Sequence, residues 1–178
     1  MRRPLSIMRA DADAGWIDVL YKIAGPGLRA LSGRTLGDRM SVIGPIGRGF
    51  SPNQERPRTL LIGGGVGIPP MIFLAETLQE SSNDWQPLVL MGSEIPFPFE
   101  STASTIRSEW LPPEIVSTMP LLEEWQIPAR LASLSDFSGV YRGYVTDLAR
   151  EWLSRQEKQA LAETEIFACG PTAMLKAV

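Results

Sequence analysis

Two patterns of hydrophobic and polar residues divide the chain near residue 54. Before that point, short runs of aliphatic and β-branched residues at 5–8, 17–23 and 41–43 are separated by glycine, proline and aspartate. Such runs predict antiparallel strands of a barrel or sandwich. A short helix is expected after Gly25, because Leu28 and Leu31 would share one of its faces. Three strands cannot close a barrel, so we expect the barrel to be incomplete at its N-terminal end.

The second pattern predicts an α/β domain. Residues 51–57 are polar and contain two prolines, as expected for a linker. Beyond them, apolar runs at 59–62, 88–91, 130–133 and 165–168 alternate with helical periodicity at 71–78 and 145–153. This alternation predicts a parallel sheet. Residues 94–119 contain four prolines and are assigned no structure. The fold class is therefore an antiparallel β-barrel over residues 1–54 followed by a parallel-sheet α/β domain over residues 55–178.

Composition narrows the function classes. The net charge is -3, the pI is about 5.1, and the basic residues are scattered, which argues against nucleic acid or an anionic membrane as the partner. No run of eighteen apolar residues and no signal peptide are visible, so we expect a cytoplasmic protein. One cysteine and no histidine exclude zinc sites, disulfides and histidine-based catalysis. Hydride and electron transfer remain possible, because a bound cofactor supplies their reactive atoms.

A glycine-rich loop follows the first strand of the α/β region. The run Gly63–Gly67 precedes Ile68-Pro69-Pro70 and a helix, so its backbone N–H groups can face an anion at the helix N-terminus. The spacing departs from the G-x-G-x-x-G dinucleotide pattern, which weakens a strict Rossmann interpretation. The alternative is that the glycines only let the helix pack closely on the sheet.

Two further segments are candidate sites. Cys169-Gly170-Pro171 ends the last strand, where parallel sheets bind ligands, so we expect Cys169 near the glycine loop. A buried cysteine alone more often serves packing. On the first predicted strand, Arg3 offers a guanidinium to a phosphate and Ser6 a hydroxyl to a polar ring atom. Gly25-Pro26-Gly27 before a helix is a second possible phosphate site. The alternatives are an ordinary surface arginine, strand serine and turn.

Taken in order, six short motifs resemble the ferredoxin-NAD(P) reductase family over essentially the whole chain. They are R-P-L-S from residue 3, L-Y-K from 20, G-P-G-L from 25, G-P-I-G from 44, G-G-G-V-G-I-P-P from 63 and A-C-G-P from 168. The resemblance implies a flavin-binding barrel followed by an NAD-binding domain. Within the family, the segments are most similar to the electron-transfer subunits of dihydroorotate dehydrogenase B.

This resemblance implies roles for particular residues. Ser6 would lie beside flavin N5 and Cys169 beside the nicotinamide, close to the point of hydride transfer. The residues implied to contact FAD are Arg3, Pro4, Leu5, Ser6, Leu20, Tyr21, Lys22, Gly27 and Leu28. Those implied to contact NAD are Gly63, Gly64, Gly65, Val66, Gly67, Cys169, Gly170 and Pro171.

The implied mechanism carries hydride from NADH to FAD and then single electrons through a 2Fe-2S cluster. The electrons would reach a catalytic dihydroorotate dehydrogenase subunit of pyrimidine biosynthesis. We expect the cluster in a C-terminal segment absent from this sequence, because one cysteine cannot ligate it.

NADH is expected over NADPH, since Gly92-Ser93-Glu94 offers no basic residue after the second strand. Alternatives are the flavin subunit of a sulfhydrogenase or of an NADH-dependent ferredoxin:NADP reductase complex, and a non-catalytic nucleotide-binding module. A plain NAD dehydrogenase is disfavoured by the lack of histidine.

Overall fold

An antiparallel hairpin and a short helix form the first part of the chain. The computed structural model describes residues 2–81 and 84–178. Strand β1 (Ile7–Asp11) pairs with β2 (Trp16–Val19) through a turn in which Gly15 has a φ of +74°. The Asp11 carboxylate closes this turn by accepting the N–H of Ala14 at 2.8 Å. Helix α1 (Gly25–Ser32) follows, and residues 33–57 contain neither helix nor strand.

A five-stranded parallel sheet dominates the rest. Its strand order is β8-β7-β4-β3-β9, with every neighbouring pair parallel. No helix in residues 2–81 or 84–178 is long and apolar enough to cross a membrane. The remaining elements, in chain order, are β3 (Arg58–Gly64), a 3-10 turn (Gly65–Gly67), α2 (Ile68–Glu80), β4 (Gln86–Gly92), β5 (Thr102–Ala103), β6 (Ser117–Thr118), α3 (Pro120–Glu124), β7 (Ala129–Ser133), β8 (Tyr141–Arg142), α4 (Val145–Ser154), α5 (Lys158–Ala162), β9 (Thr164–Cys169) and α6 (Thr172–Ala177).

Both faces of the parallel sheet are covered by helices. Leu61 points to the α2 face, where it packs with Met71, whereas Leu60 and Ile62 point to the α4 face and pack with Leu148. All five side chains are essentially buried. Because successive strand residues face opposite sides, a strand covered on both faces must be apolar throughout. The buried runs in the sequence therefore predicted these strands correctly, and the parallel-sheet α/β architecture is confirmed.

The first part of the chain differs from the prediction in two ways. Residues 41–43 do not form a strand, and Met40, Val42 and Ile43 are more than half exposed. A strand is stabilised by a hydrogen-bonded neighbour, and in the described residues β1 and β2 pair only with each other. The expected barrel is thus represented here by a single antiparallel pair. In addition, β1 begins at Ile7, so the motif at residues 3–6 precedes the strand instead of lying on it.

Residues 94–119, which were assigned no structure, contain the short antiparallel pair of β5 and β6. Glu123 holds this segment by accepting hydrogen bonds from Ser104 and from the N–H and hydroxyl of Thr105, at 2.6–2.7 Å. Burial raises the pKa of Glu123, but these hydrogen bonds outweigh it and hold the pKa below its usual range. The buried Arg130 also donates to the carbonyl of Ile106 at 2.6 Å. Contacts from distant elements, invisible in local sequence, order this segment.

The hairpin is fixed to helix α2 by one arginine. Arg9 donates from Nε and Nη2 to the Glu76 carboxylate at 2.9 and 2.7 Å, which raises the Arg9 pKa. Its guanidinium also lies 5.5 Å from the ring centre of Trp16 and 5.1 Å from that of Trp125. An arginine held between two aromatic rings and paired with a carboxylate is a charge-assisted, partly desolvated contact. It joins the N-terminal hairpin to the α/β unit.

Removing this ion pair should loosen the hairpin. Arg9→Met and Glu76→Gln are each expected to destabilise the chain, with a coupling energy of about 1 kcal/mol in a double-mutant cycle. The pair is more buried than the exposed Arg150–Asp147 pair, whose side chains are 57% and 46% exposed. Urea denaturation of both cycles provides the comparison, with Arg150–Asp147 as the control. Equal coupling energies for the two pairs would contradict the role assigned to Arg9.

Candidate functional site

The carboxyl ends of β3 and β9 meet at one edge of the sheet. Gly63 on β3 pairs directly with Cys169 on β9, and the 3-10 turn at Gly65–Gly67 leads from β3 into α2. The structure therefore brings the glycine loop and Cys169 together, as the sequence predicts. In open parallel sheets, this edge is where ligands bind. We use the name carboxyl-edge crevice for the place where the loop and residues 169–171 meet.

Three of the loop glycines are needed for close packing. A Cβ on Gly67 would overlap the carbonyl oxygen of Cys169 and lie 2.6 Å from the nitrogen of Gly170. A Cβ on Gly63 would lie 3.0 Å from the Cα of Ile68. A Cβ on Gly64 would overlap the sulfur of Met174. For these positions, the packing alternative considered for the loop is an adequate explanation by itself.

Gly65 and Val66 have a different environment. Gly65 has a φ of +53° with no atom within 4 Å of its Cβ position, and Val66 is 57% exposed. They are the exposed part of a loop whose flanking residues are buried. A backbone that is left-handed and open to solvent is available to a ligand. The exposed backbone of the loop is therefore at Gly65–Val66 and not along its whole length.

The start of α2 adds an electrostatic preference for anions. No side chain caps the helix, and its first turn contains no acidic residue. Pro69 and Pro70 have no N–H, so the donors at this end come from the loop backbone and Ile68. The positive end of the helix dipole therefore faces the carboxyl-edge crevice without an internal counter-charge. A phosphate is the natural ligand for such an end.

Cys169 contributes a neutral side chain to the crevice. The thiol is half-buried, and burial raises its pKa above the ordinary value. It is therefore protonated at neutral pH and is not an activated nucleophile. Met174 lies close to both Gly64 and Gly170 and forms the wall beside it. Cys169 can pack against a ligand ring, but covalent catalysis is not its role.

A second candidate site lies at the N-terminus of α1. The Nε of Arg3 lies 3.0 Å from the Cβ position of Gly27, so the guanidinium packs against the first turn of the helix. That turn contains proline and no acidic residue, while Arg29 is in the last turn. An arginine beside an uncapped helix N-terminus favours a phosphate group. We call Arg3 and the first turn of α1 the Arg3 cluster.

The other predicted flavin contacts lie around this cluster. Pro4, Leu5 and Ser6 are exposed and precede β1, and residues 20–22 follow β2 and belong to no helix or strand. Leu20, Tyr21 and Leu28 are half-buried. No hydrogen bond or ion pair in the part of the chain that the structure describes joins Ser6 to Cys169. The predicted residues thus form two groups, one around the Arg3 cluster and one in the carboxyl-edge crevice.

Sequence reasoning missed the residues that hold these groups in place. Arg9 and Glu76 are 67 positions apart, and Met174 faces Gly64 from more than a hundred residues away. Phe50 and Phe167 form another such contact, an edge-to-face pair with ring centres 5.3 Å apart. No local pattern marks such partners. Only positions that co-vary in an alignment of homologous sequences could have identified them.

Comparison with known proteins finds relatives that match the whole chain. No family model matches it. The electron-transfer subunit of dihydroorotate dehydrogenase B (NAD(+)) from Listeria monocytogenes serotype 4a is 31% identical over 180 residues, covering all of this chain. The chain is a relative of these electron-transfer subunits. Subunits of the same name from Shouchella clausii and Geobacillus thermodenitrificans are 27% and 29% identical, again over the whole chain. The chain spans about 60% of the length of these curated relatives.

Solved structures show the fold independently. The structure of an NADH-dependent reduced ferredoxin-NADP oxidoreductase superposes with a TM-score of 0.68, covering 98% of this chain and 54% of its own, at 22% identity. An Amycolatopsis cytochrome P450 reductase superposes with a TM-score of 0.59 over 99% of this chain and 50% of its own, at 23% identity. The chain therefore has the fold of these two reductases. This confirms the fold class predicted from the sequence.

The glycine assignments can be separated by alanine substitution. Gly67→Ala should destabilise the chain by about 3 kcal/mol, because its methyl group overlaps the Cys169 carbonyl. Gly65→Ala meets no atom and should cost about 1 kcal/mol for its left-handed backbone. Urea denaturation followed by tryptophan fluorescence measures both. If Gly65→Ala were as costly as Gly67→Ala, the division between packing and exposed glycines would be wrong.

Proposed function

We propose that this chain is the flavin- and NAD-binding part of an NADH-dependent electron-transfer subunit. In this proposal, residues 1–54 contribute to the FAD site and residues 55–178 form the NAD site, with the boundary near residue 54. The observation that carries it is the carboxyl-edge crevice, where an exposed Gly65–Val66 backbone and an uncapped helix N-terminus face Cys169. The relationship to electron-transfer subunits over the whole chain supports the same conclusion.

The carboxyl-edge crevice suits the pyrophosphate and nicotinamide of NAD. The loop at Gly65–Val66 offers backbone donors and a helix dipole to the pyrophosphate. Cys169, Gly170 and Pro171 offer a neutral and small wall to a ring. The protonated thiol is neutral, so it offers an uncharged surface to the ring. Gly63, Gly64 and Gly67 do not contact NAD in this proposal. They allow the loop to pack close to β9.

The Arg3 cluster suits the pyrophosphate of FAD. Arg3 supplies the charge, and the first turn of α1, with Gly27 and Leu28, supplies the helix N-terminus. Residues 3–6 precede β1 and residues 20–22 follow β2, and both segments could offer backbone and apolar surface to a ring system. In our proposal Pro4 and Leu5 pack on the flavin, and Leu20, Tyr21 and Lys22 hold its other side.

When both cofactors are bound, FAD supplies the redox chemistry by accepting a hydride from NADH. The chain's own residues bind and orient. Ser6 offers a hydroxyl to a polar ring atom, which fixes the ring's position, and hydride transfer depends steeply on position. Cys169 packs beside the donor ring and excludes water without moving a proton. No general base is required of the protein.

The onward electron path is proposed from the relatives. A 2Fe-2S cluster needs four protein ligands, and these 178 residues contain one cysteine and no histidine, so they do not fit that group. In residues 2–81 and 84–178, no group of three or more acidic, cysteine or histidine residues could hold a metal ion. The relatives' name identifies them as subunits serving a dihydroorotate dehydrogenase. We propose the catalytic subunit of that enzyme, in pyrimidine biosynthesis, as the protein partner.

Substitutions in the first segment test the flavin assignments. Arg3→Ala should weaken FAD binding by about tenfold or more, because it removes a charge-assisted phosphate contact. Ser6→Ala should slow flavin reduction by NADH while leaving FAD affinity largely unchanged. FAD titration and stopped-flow absorbance measure the two effects. Arg2→Ala is the matched control, since Arg2 donates to Ser41 and not to the α1 end. Equal loss of FAD from the Arg2 and Arg3 variants would contradict the Arg3 role.

The end of β4 predicts the choice of nicotinamide. Gly92 is the last residue of β4, next to Gly64, and is followed by the half-buried Ser93 and the exposed Glu94. A carboxylate here repels a 2′-phosphate, so NADH should be preferred over NADPH. Glu94→Gln should reduce the preference by about fivefold, as expected for one exposed charge. Steady-state flavin reduction with each donor measures it, and faster reduction by NADPH would contradict the proposal.

A further inference from the structure

The amino ends of the parallel strands carry an aromatic groove. Its volume is about 530 Å³. It is bordered by the first residues of β3 and β4 and by Pro128, which precedes β7. Since β3 is seven residues long at roughly 3.3 Å per residue, this groove lies about 20 Å from the carboxyl-edge crevice. It is therefore separate from the carboxyl-edge crevice.

Four tryptophans line the groove. Trp85 and Trp125 pack against the core on the α2 face of the sheet, whereas Trp110 and Trp152 pack against the core on the α4 face. The chain has five tryptophans, so all but Trp16 are gathered here. Tryptophan offers a large flat surface with a polar edge, which suits stacking against a planar ring.

The charge of the groove has one sign. Among its described lining residues, the charged ones are Arg58 and Arg107. Arg58 donates from Nη2 to Gln156 at 2.8 Å and lies 5.9 Å from the ring centre of Trp152. Its Nε is buried and has no hydrogen-bond partner. The guanidinium is thus held in place by Gln156 and Trp152 at the edge of the groove.

We propose that this groove is a binding site for a small planar organic anion. The volume lies within the range of small-molecule sites, about 300–1,000 Å³. The tryptophans stack with the ring, and Arg58 and Arg107 pair with its carboxylate or phosphate. Both the shape of the ligand and its charge are thus specified by the lining.

The probe is 1-naphthoate, titrated into the full ¹⁵N-labelled chain while the tryptophan indole N–H signals are recorded by NMR. The four groove tryptophans should shift with one common Kd, and Trp16 should shift least. The neutral analogue 1-naphthamide should bind about tenfold more weakly, because it lacks the charge. Cyclohexanecarboxylate, which has the charge without the flat ring, should also bind more weakly.

Arg107→Gln is the test variant, because Arg107 is exposed and its loss leaves the core intact. It should weaken 1-naphthoate binding about tenfold and leave 1-naphthamide binding unchanged. Arg48→Gln, at an exposed arginine away from the groove, is the matched control and should change neither. Equal affinity for the acid and the amide, unchanged binding in Arg107→Gln, or shifts centred on Trp16 would each overturn the proposal.

Discussion

The close contact of Gly67 with the backbone of Cys169 and Gly170 is the constraint on which the carboxyl-edge crevice depends. It lets the start of α2 approach the end of β9 so closely that any side chain at position 67 would overlap the carbonyl of Cys169. The same approach leaves Gly65 and Val66 projecting into solvent. Close packing and an exposed backbone are thus consequences of one loop geometry. The loop glycines differ according to whether they face protein or solvent.

A second set of contacts attaches the first 57 residues to the α/β unit. Arg9 bonds to Glu76 on α2 and lies between Trp16 and Trp125. On the β9 side, Phe50 packs edge-to-face on Phe167, and the N–H of Asn53 donates to Glu165 at 2.8 Å. The N-terminal part of the chain is therefore attached to both α2 and β9, the two elements that border the carboxyl-edge crevice. Such attachment would hold the proposed FAD site in a fixed relation to the proposed NAD site.

The sequence predicted the parallel sheet well, because a strand covered on both faces must be apolar and Leu60, Leu61 and Ile62 satisfy that requirement. It also predicted the meeting of the glycine loop with Cys169, since strand ends share an edge. It was wrong at residues 41–43, where an apolar run lacks the neighbouring strand that would order it. It assigned no structure to 94–119, because Glu123 and Arg130 order that segment from a distance. Local sequence patterns indicate where helices and strands can form, whereas contacts with distant residues decide which of them do form.

The sequence also did not predict that four tryptophans lie together at the amino ends of the strands. Trp85, Trp110, Trp125 and Trp152 are spread over 68 positions and follow no common period. Trp85 precedes β4 and Trp125 precedes β7, so both lie at the edge where these parallel strands begin. Trp152 lies on α4 and Trp110 between β5 and β6, and both line the same groove. The two edges of the sheet consequently differ in chemistry. The carboxyl edge offers backbone and small residues, and the amino edge offers aromatic rings and arginines.

The most direct test of the account is whether a nicotinamide nucleotide protects Cys169, the only cysteine in the chain, from alkylation. The rate with iodoacetamide is measured with and without NAD⁺, using the urea-unfolded chain as the control for reagent activity. At NAD⁺ ten times above its Kd, the account predicts that modification slows by about tenfold, because the bound ring covers the thiol. An unchanged rate while equilibrium dialysis shows NAD⁺ bound, or no binding of NAD⁺ at all, would contradict the assignment of the carboxyl-edge crevice.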